Sequence, residues 1–157
     1  MANRKLLCID DGSGESRTAV AFAAERARLT NSELVILRII EPPDVSLLAS
    51  MGEAIREEMR LEALQDLQEL AAVAKEMSQI SPNLQVREGI VDEQIRAQID
   101  EDEGIRTLVL AASPNRNGFG PLVSAATRGS FGFGKRAVAI MIVPDGLNDD
   151  EIMILAS

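Results

Sequence analysis

The sequence predicts an α/β protein: a largely parallel sheet of five strands, with helices on both faces, in a single domain. Short apolar runs alternate along the 157 residues with longer segments of helical period. Several runs are apolar almost throughout, as strands covered on both faces are. Glycine, proline or small polar residues close them, which is the chemistry a turn out of a sheet needs.

Lys5 to Ile9 reads as the first strand. It ends in Asp10-Asp11-Gly12-Ser13-Gly14, where the glycines allow a turn and Ser13 or Asp11 can cap the next helix. That helix carries Ala19, Val20, Ala23, Ala24 and Ala27 on one side, small residues suited to close packing on a sheet. Thr30-Asn31-Ser32 breaks it. Glu33 to Ile40 is a second buried strand. Glu41-Pro42-Pro43 stops it, because a residue before proline is held extended and proline lacks an amide donor. Asp44 to about Ile80 is one long helical segment, whose first turns Gly52 can break. Leu61, Leu64, Leu67, Leu70, Ala71, Ala74 and Met77 recur there at helical spacing.

Leu84 to Glu88 alternates apolar and polar residues, which predicts a strand near an edge or with one exposed face. Val91 to Glu103 reads as a helix with Ile95 and Ile99 on one side, stopped by Gly104. Thr107 to Ala111 is the fourth strand. A glycine-rich loop, a short helix and a second glycine-rich loop, Gly129 to Gly134, lead to the closing run Ala137 to Val143 and Pro144. The domain is therefore expected over 1–144, with a C-terminal tail over 145–157. The tail is acidic and then apolar, and reads as a docking segment or as part of a partner contact.

Composition removes several classes of function. A net charge of −9 argues against a nucleic-acid partner, and four Phe with no Trp or Tyr leave few platforms for stacking bases. With no His, the chain lacks the commonest general base and the commonest metal ligand, so neither a Ser-His-Asp nor a Cys-His device can form within it. Cys8 is alone in an apolar run and reads as a buried structural thiol. No apolar run reaches the ~20 residues of a membrane span, and the N-terminus is too short for a signal peptide. The expectation is a soluble, cytoplasmic protein with no membrane contact.

The charge is uneven. From Gly104 to Pro144 there is no Asp or Glu, while Arg106, Arg116, Arg128, Lys135 and Arg136 fall in that stretch. Either these cations serve a small anionic ligand, or the apolar strands and glycine loops leave little room for carboxylates. On a parallel sheet, ligands sit outside the carboxyl ends of the strands, at the switch in strand order. That rim would carry Asp10-Asp11-Gly12, Glu41-Pro42, and the loop from Ala112 to Gly120.

These elements resemble a universal stress protein domain of the UspA type over about residues 4–144. The likeness rests on Leu6-Leu7-Cys8-Ile9-Asp10-Asp11-Gly12-Ser13 followed by Ser16, Ala19 and Ala23, and on Glu33-Leu34-Val35-Ile36-Leu37-Arg38-Ile39-Ile40-Glu41-Pro42. The single long segment before the third strand, Gly89, the glycine loop and the closing Val143-Pro144 complete it. The resemblance implies a five-stranded parallel sandwich of the adenine nucleotide alpha hydrolase-like kind. It implies a homodimer paired through the closing strand, Ala137 to Val143. Many members bind ATP and some bind AMP or nothing, so ATP, AMP or no nucleotide is what the resemblance implies, with Mg²⁺ only alongside ATP. Asp11, or less readily Asp10, fits the family's acidic position for the ribose or adenine. Leu34 and Val35 fall where its second strand lines the adenine pocket.

ATP-binding members of that family carry G-x2-G-x9-G-[ST] after the fourth strand. Laid on this chain, the motif places Ala112 and Asn115 at its first two glycines, Ala125 at the third and Ala126 at the hydroxyl. With one residue inserted, Gly118 and then Gly129-Ser130 imitate its second half. Ser113, Ser124 and Thr127 offer hydroxyls, Gly118-Phe119-Gly120 a rebuilt loop, and Arg116 a charged fork to a phosphate. Pro114 removes one amide from the cradle. Each lost bond to a charged phosphate would cost about 1.5–3 kcal/mol. Site expectations thus fall on Asp11, Leu34, Val35, Ala112, Ser113, Asn115, Arg116, Gly118, Gly120, Ser124 and Thr127, with no catalytic residue and no resident metal.

Functional readings of different classes follow. The first is a stress-response homodimer with a degenerate ATP or AMP site. The second is an interaction module that has lost nucleotide binding and works through protein partners. The third is at most a slow ATPase, with Asp10, Asp11 and Glu41 as the available carboxylates and Arg116 neutralising charge.

Overall fold

The computed structural model describes residues 3–41, 45–112, 121–128 and 136–157, and the side chains within them except those of 45–51, 121 and 127. The elements are β1 (Lys5–Asp10), α1 (Glu15–Thr30), β2 (Glu33–Ile40), α2 (Val45–Ser78) and β3 (Asn83–Glu88). They continue as α3 (Val91–Glu101), β4 (Ile105–Ala112), α4 (Pro121–Thr127), β5 (Ala139–Pro144) and α5 (Asp149–Ala156). The strands form one five-stranded sheet in the order β3-β2-β1-β4-β5. Every neighbouring pair is parallel, with Leu7 opposite Val35 on one side and Leu108 on the other.

Apolar residues of alternate parity leave the strands in opposite directions and build two cores. Leu6, Cys8, Leu34, Ile36 and Val109 pack under α1, α2 and α5. Leu7, Ile9, Val35, Leu37, Leu108 and Leu110 pack under α3 and α4, through Ile95, Ile99, Leu122 and Ala125. Cys8 is fully buried, and burial pushes its thiol well above its ordinary pKa, so it stays a protonated core residue.

Helix α1 meets the sheet through Ala19, Ala23 and Ala27, each without solvent exposure, and its end is turned by Asn31 at φ 52°. Its N-cap is Gly14, with no side-chain cap. The expected capping by Ser13 or Asp11 is thus not what forms, because the Asp11 carboxylate is occupied inside the turn. Gly52, at φ 69° and ψ 163°, breaks α2 near its start as expected. Beyond it Ala63, Leu67, Leu70 and Ala74 form the buried stripe, while Leu61, expected within the stripe, is 58% exposed. Strand β3 is an edge strand, and none of its residues is fully buried.

Helix α3 ends at Glu101, earlier than Gly104. Gly104 answers another need: a Cβ there would lie 2.5 Å from the carbonyl oxygen of Asn3, and its own carbonyl accepts the Lys5 amide at 2.8 Å. Arg136 serves the C-terminal end of α3 instead, donating to the carbonyls of Ile99 and Asp102, and also to that of Ile105.

The tail folds back on the domain. Asn148 caps α5 by accepting the Glu151 amide at 2.8 Å, and the Glu151 side chain accepts the Asn148 amide in return. Ile152 and Ala156 are buried in the α1 core, and Arg26 donates to the Ala156 carbonyl at 3.0 Å. Met153, Ile154 and Leu155 face outward and are more than half exposed.

Candidate functional site

Strand order reverses between β1 and β4, so the chain leaves a crevice at their carboxyl ends. The turn from β1 into α1 stands at that crevice. Asp10 is the last residue of β1 and is 3% exposed. Its Oδ1 accepts the Gly12 amide at 2.9 Å, and its Oδ2 accepts Arg38 Nη1 at 2.8 Å. Arg38 lies opposite Asp10 in the β1–β2 register, so the buried carboxylate meets its countercharge on the neighbouring strand.

Asp11 comes next and points outward. Its Oδ1 accepts the Ser13 amide at 2.9 Å, the Ser16 hydroxyl at 3.0 Å and the Ser13 hydroxyl. The Asp11 amide in turn donates to Ser16 Oγ at 3.3 Å. These bonds hold the carboxylate without covering it, and Asp11 remains exposed.

A cavity of about 470 Å³ opens beside this turn, on the α3–α4 side of the sheet. Ile9, Ile39, Leu122 and Ala125 are its apolar lining from the sheet and α4. Ile90 and Val91 contribute from the start of α3. Asp11, Glu41, Asp92 and Arg128 bring charge to it, and Asp10, already paired, stands at its edge. Arg128 follows the last turn of α4, where its amide donates to the Ser124 carbonyl at 3.1 Å. Such a space suits a flat, largely apolar ring with a polar group toward Asp11.

The site expectations divide accordingly. Asp11 lines the cavity. Leu34 and Val35 do not line the cavity: they sit low in β2, opposite Leu6 and Leu7, and are buried in the two cores. Ile39 takes that role, because the rim lies at the carboxyl end of the strand. Ala112 ends β4 at the rim, 7% exposed, but does not line the cavity. Ser124 is half-buried on α4, whose lining residues are Leu122 and Ala125. Ser113, Asn115, Arg116, Gly118 and Gly120, the Thr127 side chain and Gly129-Ser130 lie outside the described residues.

The lining residues Ile9, Ile39, Ile90, Val91, Asp92, Leu122, Ala125 and Arg128 are not among the site expectations. Arg128 had a signal, as a cation in the acid-free stretch. Asp92 had none, being one acid among many. The positive stretch also divides. Arg106 is exposed near the amino end of β4, and Arg136 is spent on carbonyls at the end of α3, so neither serves the rim. Among the described residues the cavity carries Asp11, Glu41 and Asp92 against Arg128. Among them, too, no three acidic or thiol side chains stand close enough to hold a metal ion, and no helix is long and apolar enough to cross a membrane.

A parallel five-stranded sheet with an acidic turn at its switch point defines an α/β protein with a cavity at the carboxyl rim of the sheet. The family model for the universal stress protein family matches residues 2–128, and the chain belongs to that family. The match covers the turn, α4 and Arg128, and stops short of β5 and α5. Among solved structures, UspA from Lactobacillus plantarum is similar at 15% identity and a TM-score of 0.72, over 93% of this chain and 99% of that one. A universal stress protein solved in complex with cAMP is similar at 18% identity and a TM-score of 0.67, over 93% and 100%. One from Archaeoglobus fulgidus is similar at 17% identity and 0.64, over 90% and 98%. At these identities the likeness is one of fold. No curated protein sequence matches the chain.

Proposed function

We propose that this chain is a cytoplasmic stress-response protein that acts as a homodimer and holds an adenine nucleotide in a degenerate rim site. The observation that carries the reading is the cavity of about 470 Å³ beside Asp11. Its apolar lining, Ile9, Ile39 and Ile90, suits a purine ring, and the Asp11 carboxylate can accept ribose hydroxyls. The similar universal stress protein bound to cAMP supports a nucleotide of this kind. Asp11, Glu41 and Asp92 would repel a triphosphate, which favours AMP over ATP and makes Mg²⁺ matter only for ATP.

Calorimetric titration with AMP, cAMP, ATP and ATP with Mg²⁺ tests this. AMP should bind more tightly than metal-free ATP, and Mg²⁺ should narrow the gap. An absence of heat with any of them at millimolar concentration would sink the nucleotide reading.

One observation favours the alternative of an interaction module. Met153, Ile154 and Leu155 form an exposed apolar run on α5. On that reading protein partners replace the nucleotide as the effector.

A further inference from the structure

We propose that Arg38 is the positioning residue of the rim site: it fixes the β1–α1 turn from beneath, so that the Asp11 carboxylate stands ready for a ligand. The proposal rests on the reading that Asp11 holds the ligand. β1 and β2 are otherwise apolar where they cross the core, and Leu7, Cys8, Ile36 and Leu37 have no solvent exposure. One register position above this core, Asp10 faces Arg38 instead.

An ion pair with one buried and one half-buried member is a poor way to gain stability, since an apolar pair of similar volume does as well or better. Its placement here has a different consequence. The Asp10 carboxylate spans two partners: the Gly12 amide on Oδ1 at 2.9 Å and Arg38 Nη1 on Oδ2 at 2.8 Å. The Arg38 guanidinium also lies against the turn itself. Gly12 has φ +82°, and a Cβ there would sit 3.0 Å from Arg38 Nη2. Asp66 of α2 accepts from the same Nη1 at 3.3 Å, which ties the guanidinium to a helix on the opposite face from the cavity.

The Asp11 network with Ser13 and Ser16 begins one residue beyond Asp10 and inherits its geometry. Remove the cation, and the buried Asp10 carboxylate loses its countercharge and one of its two anchors. Its hold on the Gly12 amide weakens, and the turn is free to move.

The test compares the wild type with Arg38→Met and Arg38→Lys, reading residue-resolved amide exchange and AMP binding. In Arg38→Met, exchange at Gly12 and Ser13 should rise about tenfold, the loss of one charge-assisted hydrogen bond. Amides of Leu7 and Leu108 should keep their protection, and AMP affinity should fall by about the same factor. Arg38→Lys, which keeps the charge, should recover most of both. Unchanged Gly12 exchange in Arg38→Met would overturn the proposal. So would a uniform rise across β1, β2 and β4, which marks a merely structural residue. If the wild type binds no AMP, the nucleotide reading falls, and the exchange pattern with its lysine rescue still decides the role of Arg38.

Discussion

Glu25 shows how one side chain can join two helices. It is 3% exposed on α1. Arg28, one turn on, donates to its carboxylate, and Ser78 at the end of α2 donates its hydroxyl at 2.6 Å. The Arg28 bond, aided by Ser78, holds the Glu25 carboxyl below its ordinary pKa against the opposing effect of burial. The stabilisation this shift represents is present above the ordinary carboxylate value of 4.5, and is lost as pH falls through the lowered folded-state value. Denaturant titrations across the acid range should therefore show stability declining below that value. Glu25→Gln should decline less steeply there while being less stable at neutral pH. Parallel curves for the two proteins would show that Glu25 contributes nothing to the acid limb.

At the scale of elements, α5 is held by its cap and by two buried side chains. It is only eight residues long, too short to persist alone in water. The Asn148–Glu151 box satisfies amides at its start, and Ile152 and Ala156 anchor it to α1. Asn148→Ala should cost about 1 kcal/mol. The loss should show locally, as faster amide exchange in α5 ahead of the sheet, with a small fall in the global midpoint. Equal exchange in α5 with and without Asn148 would show that packing on α1 alone holds the helix. The sequence presented this segment as an apolar tail with alternatives open. Its polarity pattern was legible, but which side it would bury was not, because Ile152 and Ile154 are equally apolar and only α1 distinguishes them.

For the whole molecule, the sheet edge at β5 bears on assembly. Among the described residues β5 pairs only with β4, and Ile142 on it is 44% exposed. An exposed apolar edge strand invites another strand, and a second copy supplies an identical one. Sedimentation analysis should give a dimer for the wild type, and Ile142→Lys should shift it toward monomer by placing charge on that edge. A wild-type monomer, or a variant dimer as tight as the wild type, would count against pairing through β5.

Much of the architecture could be read along the chain. Strand order in sequence, the parallel sheet, the break at Gly52 and the edge character of β3 all follow from local pattern: apolar runs, helical period and turn residues. Those signals are local because backbone preference and side-chain alternation act over a few residues. Tertiary structure decided the rest. It put Leu34 and Val35 in the cores and gave the cavity to Ile39, because depth along a strand depends on sheet register. It sent Arg106 and Arg136 away from the rim and left Arg128 there, because Arg106 and Arg136 stand at the amino ends of β4 and β5 while Arg128 follows α4 beyond the carboxyl end of β4. And it brought Arg38 against Asp10, 28 residues away, where the half-buried cation offsets the cost of burying the carboxylate. A local pattern records which residues want burial, while sheet order and register determine where along the sheet they meet.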